Sequence, residues 1–198
     1  ASEGTSGTEI LYKKMSEPRF RTLLPGFDAD YMPVDCKDNA LYFVTNEGAS
    51  NYALKRIDLN VPAQVVTVIP EDERNLLEGV GTAGGYLFAS YLQDAQNRVR
   101  QYDYSGKLVR EVALPAIGTV GGFDGEKEDA ELYYTLASYT SPATIYKYDI
   151  ASGVSTLYKA PEVKFDPAQF TTEQVFYTSK DGTKVPMFIT RRKDMKRD

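Results

Sequence analysis

The chain has 198 residues, 42% of them apolar and 26% charged, with a net charge of -5 and no histidine. That balance fits a soluble globular protein, and the acidic charge argues against a nucleic-acid partner, which needs clustered Lys and Arg. Without an imidazole, a Ser-His-Asp or Cys-His nucleophile has no group to carry its proton. Cys36, the single cysteine, excludes an internal disulfide and a Cys/His zinc site.

In chain order, Ile10–Met15 and Phe20–Leu24, the latter followed by Pro25, read as two short strands. A repeat then sets in. Ala40–Val44, Gly85–Ala89 and Ala130–Tyr134 are apolar-aromatic segments whose starts step by 45 and 45. Each is followed by an alternating segment that ends in an aspartate, at Asp58, Asp103 and Asp149. A third strand comes next in each unit, Val65–Ile69, Leu108–Val112 and Val154–Tyr158, with Pro70, Pro115 and Pro161 beyond. Proline cannot donate to a central ladder, so it suits the end of an outer strand. A fourth, innermost strand opens the next unit, near Leu76–Thr82 and Gly118–Phe123.

Four short strands every 40–45 residues or so are the signature of a β-propeller. Apolar residues alternate with period 2 inside each segment, which excludes helical repeats. The expectation is an all-β fold, a partial β-propeller of about three and a half four-stranded blades that begins in mid-blade. Such an arc leaves open edges that invite self-association. From Phe165 the period breaks, and Gln174–Thr178, the turn Lys180–Thr183 and Val185–Ile189 read as a separate hairpin.

Few residues suggest chemistry. Asp28 and Asp30 read as two carboxylates on one side of a strand, shaping the start of an inner strand. Asp124-Gly125-Glu126-Lys127-Glu128-Asp129 reads as a solvated hairpin loop, since it lacks the glycine and glutamate spacing of a calcium loop. Asp58, Asp103 and Asp149 are turn formers. Cys36 is a small residue near a strand end, and the 15 tyrosines read as core and inter-blade packing, with a few open to lining the central channel. Arg191-Arg192-Lys193 with Lys196-Arg197 reads as a solvated, frayed tail. No apolar run is long enough to span a membrane, and no signal-peptide pattern is visible.

The segment Val175-Phe176-Tyr177-Thr178-Ser179-Lys180-Asp181-Gly182-Thr183-Lys184-Val185-Pro186-Met187-Phe188-Ile189 resembles the hinge hairpin of the prolyl oligopeptidase (prolyl endopeptidase) family. Gly26–Tyr31, Phe43–Asn46 with Asn51-Tyr52, Ile69-Pro70-Glu71 with Leu77-Glu78, and Tyr139–Pro142 with Ile145-Tyr146 agree in order. The resemblance implies a bacterial serine peptidase that cuts short peptides after proline, with a seven-bladed propeller gating access to the active site. It divides the chain into C-terminal propeller blades (1–162), a linker or hinge (163–174) and the first hairpin of an α/β-hydrolase domain (175–198). The family's Ser, Asp and His have no matching position here, so no catalytic residue is carried over, and no cofactor or metal is implied. Thr5, in Glu3-Gly4-Thr5, falls in a segment that lies near the substrate pocket in the family and stands where some relatives have Cys. The implied partners are peptide substrates and the hydrolase domain, with no nucleic acid and no membrane; the implied compartment is cytoplasmic or periplasmic. The alternative is a propeller that binds a protein or peptide partner on its own.

Overall fold

In a computed structural model, which describes residues 7–62 and 64–195, the described residues form antiparallel sheets in strict chain order. A two-stranded sheet, β1 (Ile10–Tyr12) and β2 (Arg21–Leu24), comes first. The first full blade is β3 (Tyr31–Lys37), β4 (Ala40–Thr45), β5 (Ala53–Asp58) and β6 (Val65–Ile69). The second is β7 (Leu76–Ala83), β8 (Tyr86–Gln93), β9 (Gln96–Tyr102) and β10 (Leu108–Glu111). The third is β11 (Gly118–Gly122), β12 (Glu131–Ser138), β13 (Ser141–Asp149) and β14 (Ser155–Lys159). Each is a four-stranded meander with its strands in sequence order. The described residues therefore carry three whole propeller blades and half of another.

Pairing register refines the repeat. Ala40 pairs with Asp58, Leu87 with Tyr102 and Glu131 with Asp149. The equivalent strand starts are thus Ala40, Tyr86 and Glu131, and Gly85 and Ala130 belong to turns. Gly85 was displaced from the strand because Gly84 and Gly85 form the two-residue connection between β7 and β8, with φ of 56° and 77°. Asp38-Asn39 and Asp94-Ala95 adopt the same left-handed pair, the geometry that matches the twist of a two-residue hairpin.

Apolar packing between successive sheets holds the arc together. Ile10 and Leu24 pack with Phe43 and Ile57. Tyr42, Val44 and Leu54 of the first blade pack with Leu87, Ala89 and Tyr91 of the second. Phe88 and Val99 pack with Leu132, Tyr134 and Tyr148 of the third, around Phe123. Phe123 stacks on Tyr134 at 4.5 Å and meets Phe88 at 5.7 Å between ring centroids. Each such side chain contributes roughly 1.5–3 kcal/mol by leaving water. The tyrosines in these layers are the packing material that the composition suggested.

Beyond the third blade, Asp166 caps a short 3-10 turn at Pro167–Gln169 by accepting from the Ala168 amide at 2.9 Å. A hairpin follows, β15 (Phe170–Thr178) and β16 (Lys184–Arg192), paired without a bulge from Phe170/Arg192 to Thr178/Lys184. It starts earlier than its apolar run suggested, because Thr171 and Thr172 pair with Arg191 and Thr190.

Candidate functional site

Within its sheet, the first strand of each blade is hydrogen-bonded on one side only: β3 to β4, β7 to β8 and β11 to β12. Those strands leave an inner edge that is not paired within its own sheet, as the wall of a propeller axis requires. Met32, Pro33, Cys36, Glu78 and Thr119 are exposed along these strands. Polar contacts fix neighbouring inner strands to each other. Asn97, buried on β9, donates from Nδ2 to Glu78 Oε2 on β7 at 2.6 Å. The same side chain accepts the Val120 amide of β11 through Oδ1 at 2.9 Å. One amide side chain thus ties two inner strands.

At one end of the strands, Tyr104 donates its hydroxyl to Asp35, and the Lys37 ammonium sits 3.8 Å from the Tyr104 ring centre. Burial first, and then Asp35, raises the Tyr104 hydroxyl pKa and keeps it protonated. Next to it, desolvation and then Asp35 raise the Cys36 thiol pKa above its ordinary value. Cys36 is exposed and unpaired by any disulfide.

The acidic turn 124–129 belongs to this same end. It connects β11 to β12 and is exposed, as a solvated loop should be. Yet it also clasps the second blade: Gly125 donates to Thr82 O at 2.8 Å, and Gly84 donates to Glu126 O at 3.0 Å. A Cβ on Gly81 would lie 2.4 Å from Phe123 O and from Asp124 Oδ1, so only glycine admits this approach.

Asp28 and Asp30 do not lie on a strand; they sit in the bend between β2 and β3. Asp30 accepts from the Gly7 amide at 3.1 Å and from the Tyr52 hydroxyl at 2.7 Å, which fixes the approach to β3. Asp103 accepts from the Ser105 amide at 2.8 Å and the Lys107 amide at 3.1 Å, and Asp149 from the Ser152 amide at 2.7 Å. Asp58 accepts from the Asn60 amide at 2.8 Å. The Ser105 hydroxyl chiefly lowers the Asp103 pKa, and the Ser152 amide chiefly lowers that of Asp149. All three are turn formers. Among the described residues, no group of three or more His, Cys, Asp or Glu side chains is arranged to hold a metal ion. Thr5, Lys196 and Arg197 lie outside the described residues. Arg191 and Arg192 finish β16, and Arg192 pairs with Asp194 at 3.1 Å, so the basic cluster is in part a strand end rather than a tail.

At the other end of the strands the hairpin meets the blades. Gln96 Nε2 donates to Gln174 Oε1 at 2.8 Å, and Gln174 Nε2 donates to Asp94 O at 2.6 Å. The Phe188 ring lies 5.0 Å from that of Tyr139, in the turn between β12 and β13. A cavity of about 700 Å³ opens beside the contact, lined by Gln96, Arg98, Glu111, Leu114, Ile117 and Gln174 among others. Sequence reasoning did not single out Asn97, Gln96 or Gln174. Each makes a polar contact between elements far apart in the chain, and no local pattern announces it.

The arrangement supplies a wall around an axis and a mount for a hairpin. The family described as prolyl oligopeptidase, N-terminal beta-propeller domain, matches residues 1–161. A prolyl endopeptidase of Elizabethkingia miricola is 41% identical over 201 residues, covering 100% of this chain and 28% of that protein. A prolyl oligopeptidase of Omphalotus olearius is 32% identical, covering 98% of this chain and 26% of that protein. Among solved structures, one from a study of two prolyl endopeptidases superposes with a TM-score of 0.85 at 38% identity, over 98% of this chain and 29% of that one. Prolyl oligopeptidase B from Galerina marginata, without ligand, superposes with a TM-score of 0.82 at 28% identity, over 90% of this chain and 26% of that one. The chain thus spans a little over a quarter of the length of the relatives it matches.

Proposed function

This chain belongs to the prolyl oligopeptidase family, as blades of its N-terminal β-propeller domain, and on that premise we propose that it is the non-catalytic, access-gating part of a serine endopeptidase that cuts short peptides after proline. The observation that carries this reading is the match to that propeller domain over residues 1–161, continued by a hairpin mounted on the blades. A chain with no histidine fits such a role, because the proton-carrying imidazole of a serine peptidase then comes from another part of the protein. In this reading residues 1–162 are propeller, 163–174 lead through the hinge, and 175–198 open the hydrolase domain. Greater identity to the Elizabethkingia enzyme, 41%, than to the Omphalotus one, 32%, supports a bacterial source. A propeller acting alone as a partner-binding module has no comparable support.

The test is a chimera in which this chain replaces the matching stretch of the Elizabethkingia miricola enzyme. It should cleave a short chromogenic peptide after proline and spare an unfolded protein such as casein. A well-folded chimera that is inactive on the peptide, or that cuts casein as fast, overturns the reading. The face of the third blade that no described element covers is where we propose that copies of the isolated chain associate. Sedimentation velocity at rising concentration checks this, and a strict monomer counts against it.

A further inference from the structure

Gln174 and Phe188 are direct partners across the β15–β16 ladder. Directly opposed residues of an antiparallel pair project from the same face of the sheet, so these two side chains leave the hairpin side by side. They do not land on the same blade. Gln174 reaches the turn of the second blade, accepting from Gln96 and donating to the Asp94 carbonyl. Phe188 reaches the turn of the third blade, against Tyr139. One cross-strand pair therefore straddles the seam between two blades.

The chemistry of the two contacts differs in a useful way. The amide pair is directional, because Gln174 is acceptor and donor at once and both bonds must be aligned. The ring pair is tilted by 33° at 5.0 Å and tolerates sliding. Neither strand of the hairpin contains a fully buried residue, so no apolar core of its own fixes its direction. The partner carbonyl is itself well fixed: Asp94 and Ala95 hold left-handed φ values of 49° and 61° in a two-residue turn.

We propose that Gln174 and Phe188 form a two-point latch that sets the angle of the hinge hairpin against the second and third blades, with Gln174 as the directional point whose release lets the hairpin swing. The inference rests on the hinge reading given above, and it adds the residues by which the position of the hairpin is held. Opening the latch also opens one wall of the 700 Å³ cavity, because Gln174 lines it.

The experiment is a distance measurement by double electron–electron resonance on the 198-residue chain, diluted in an excess of unlabelled chain so that only distances within one copy are read. One nitroxide goes on the exposed native Cys36 of β3, and the other on K180C at the hairpin turn. The parent should give one narrow distance population. Gln174→Ala should broaden it by two-fold or more, and Gln96→Ala, which removes one of the two amide bonds, by less. Thr172→Val breaks the hydroxyl contact to Thr190 inside the hairpin and should leave the distribution as it was. An unchanged distribution in Gln174→Ala, or equal broadening in Thr172→Val, overturns the latch. If Gln174→Ala fails to fold, Gln96→Ala carries the test alone, and no broadening there overturns it. The readout uses no peptidase activity, so a failed latch leaves the functional reading standing, and a failed chimera leaves the latch.

Discussion

The second and third blades have the same four strands, the same pairing and nearly the same length, yet their second strands live in different surroundings. In β8 three consecutive residues, Leu87, Phe88 and Ala89, are fully buried, so both faces of the strand are covered. In β12 burial alternates residue by residue from Glu131 to Leu136, so one face is covered and the other is open. Equivalent positions make the contrast sharp. Phe88 pairs with Gln101 and Tyr133 with Lys147, and the two aromatics are 0% and 43% exposed. The lesson is that blade architecture comes from the local alternating pattern, whereas stability comes from the neighbour that covers each face.

The largest way to break this comparison is Phe88→Ala. The ring packs on Phe123 at 5.7 Å and edge-on to Tyr148 at 5.8 Å, so its loss opens a cavity between two blades. The expected cost is about 3–5 kcal/mol, read from urea unfolding. The matching Tyr133→Ala should not move the midpoint measurably. A loss at Tyr133 as large as at Phe88 would mean that the open face is covered in solution.

Gln101→Leu comes next. Gln101 is fully buried, accepts the Tyr148 hydroxyl at 2.9 Å and donates to the Ile150 carbonyl at 3.3 Å. Leucine would strand both partners in the third blade, at a cost of about 1–3 kcal/mol. Adding Tyr148→Phe should recover part of that loss, because a pair made apolar on both sides leaves fewer groups unsatisfied. If the double variant is no better than the single, the bond is not what couples these blades.

These contacts also mark where the sequence stops being informative. The repeat, the aspartate turns and the hairpin with its Asp181-Gly182 turn are all local signals, and they lie where the strand alternation placed them. The strand starts are one residue off at Gly85 and at Ala130, because a glycine or alanine next to an apolar run looks the same inside a strand and in its turn. Asp28 and Asp30 read as strand carboxylates, yet they sit in a bend, and Asp30 is held there by Gly7 and Tyr52, each more than 20 residues away in the chain. Asn97, Gln101 and Gln174 are ordinary polar residues in alternating segments. Only the partners brought up by the adjacent blade or hairpin make them structural.

The smallest expected effect lies on the open face itself. Lys147 sits 2.9 Å from Glu131, and the Tyr133 hydroxyl donates to the same carboxylate at 3.1 Å. The Lys147 contact first, and then Tyr133, lowers the Glu131 pKa, so its contribution is present above the unfolded glutamate value and fades as pH falls. Glu131 in turn raises the Lys147 pKa, so that contribution is present below the unfolded lysine value and fades as pH rises. The pair therefore acts only between those limits, and because it is solvent-exposed it is screened by salt. Melting curves of the parent and of Glu131→Gln should differ by a barely resolvable margin at neutral pH and coincide at the acid end and in molar salt. A wide gap that survives salt would show a desolvated pair and an open face that is not open. In the second blade the position of Lys147 is held by the buried Gln101, which carries no ionisable group, so the same scan applied to Gln101→Leu from the acid end to neutral pH should give an offset that does not depend on pH.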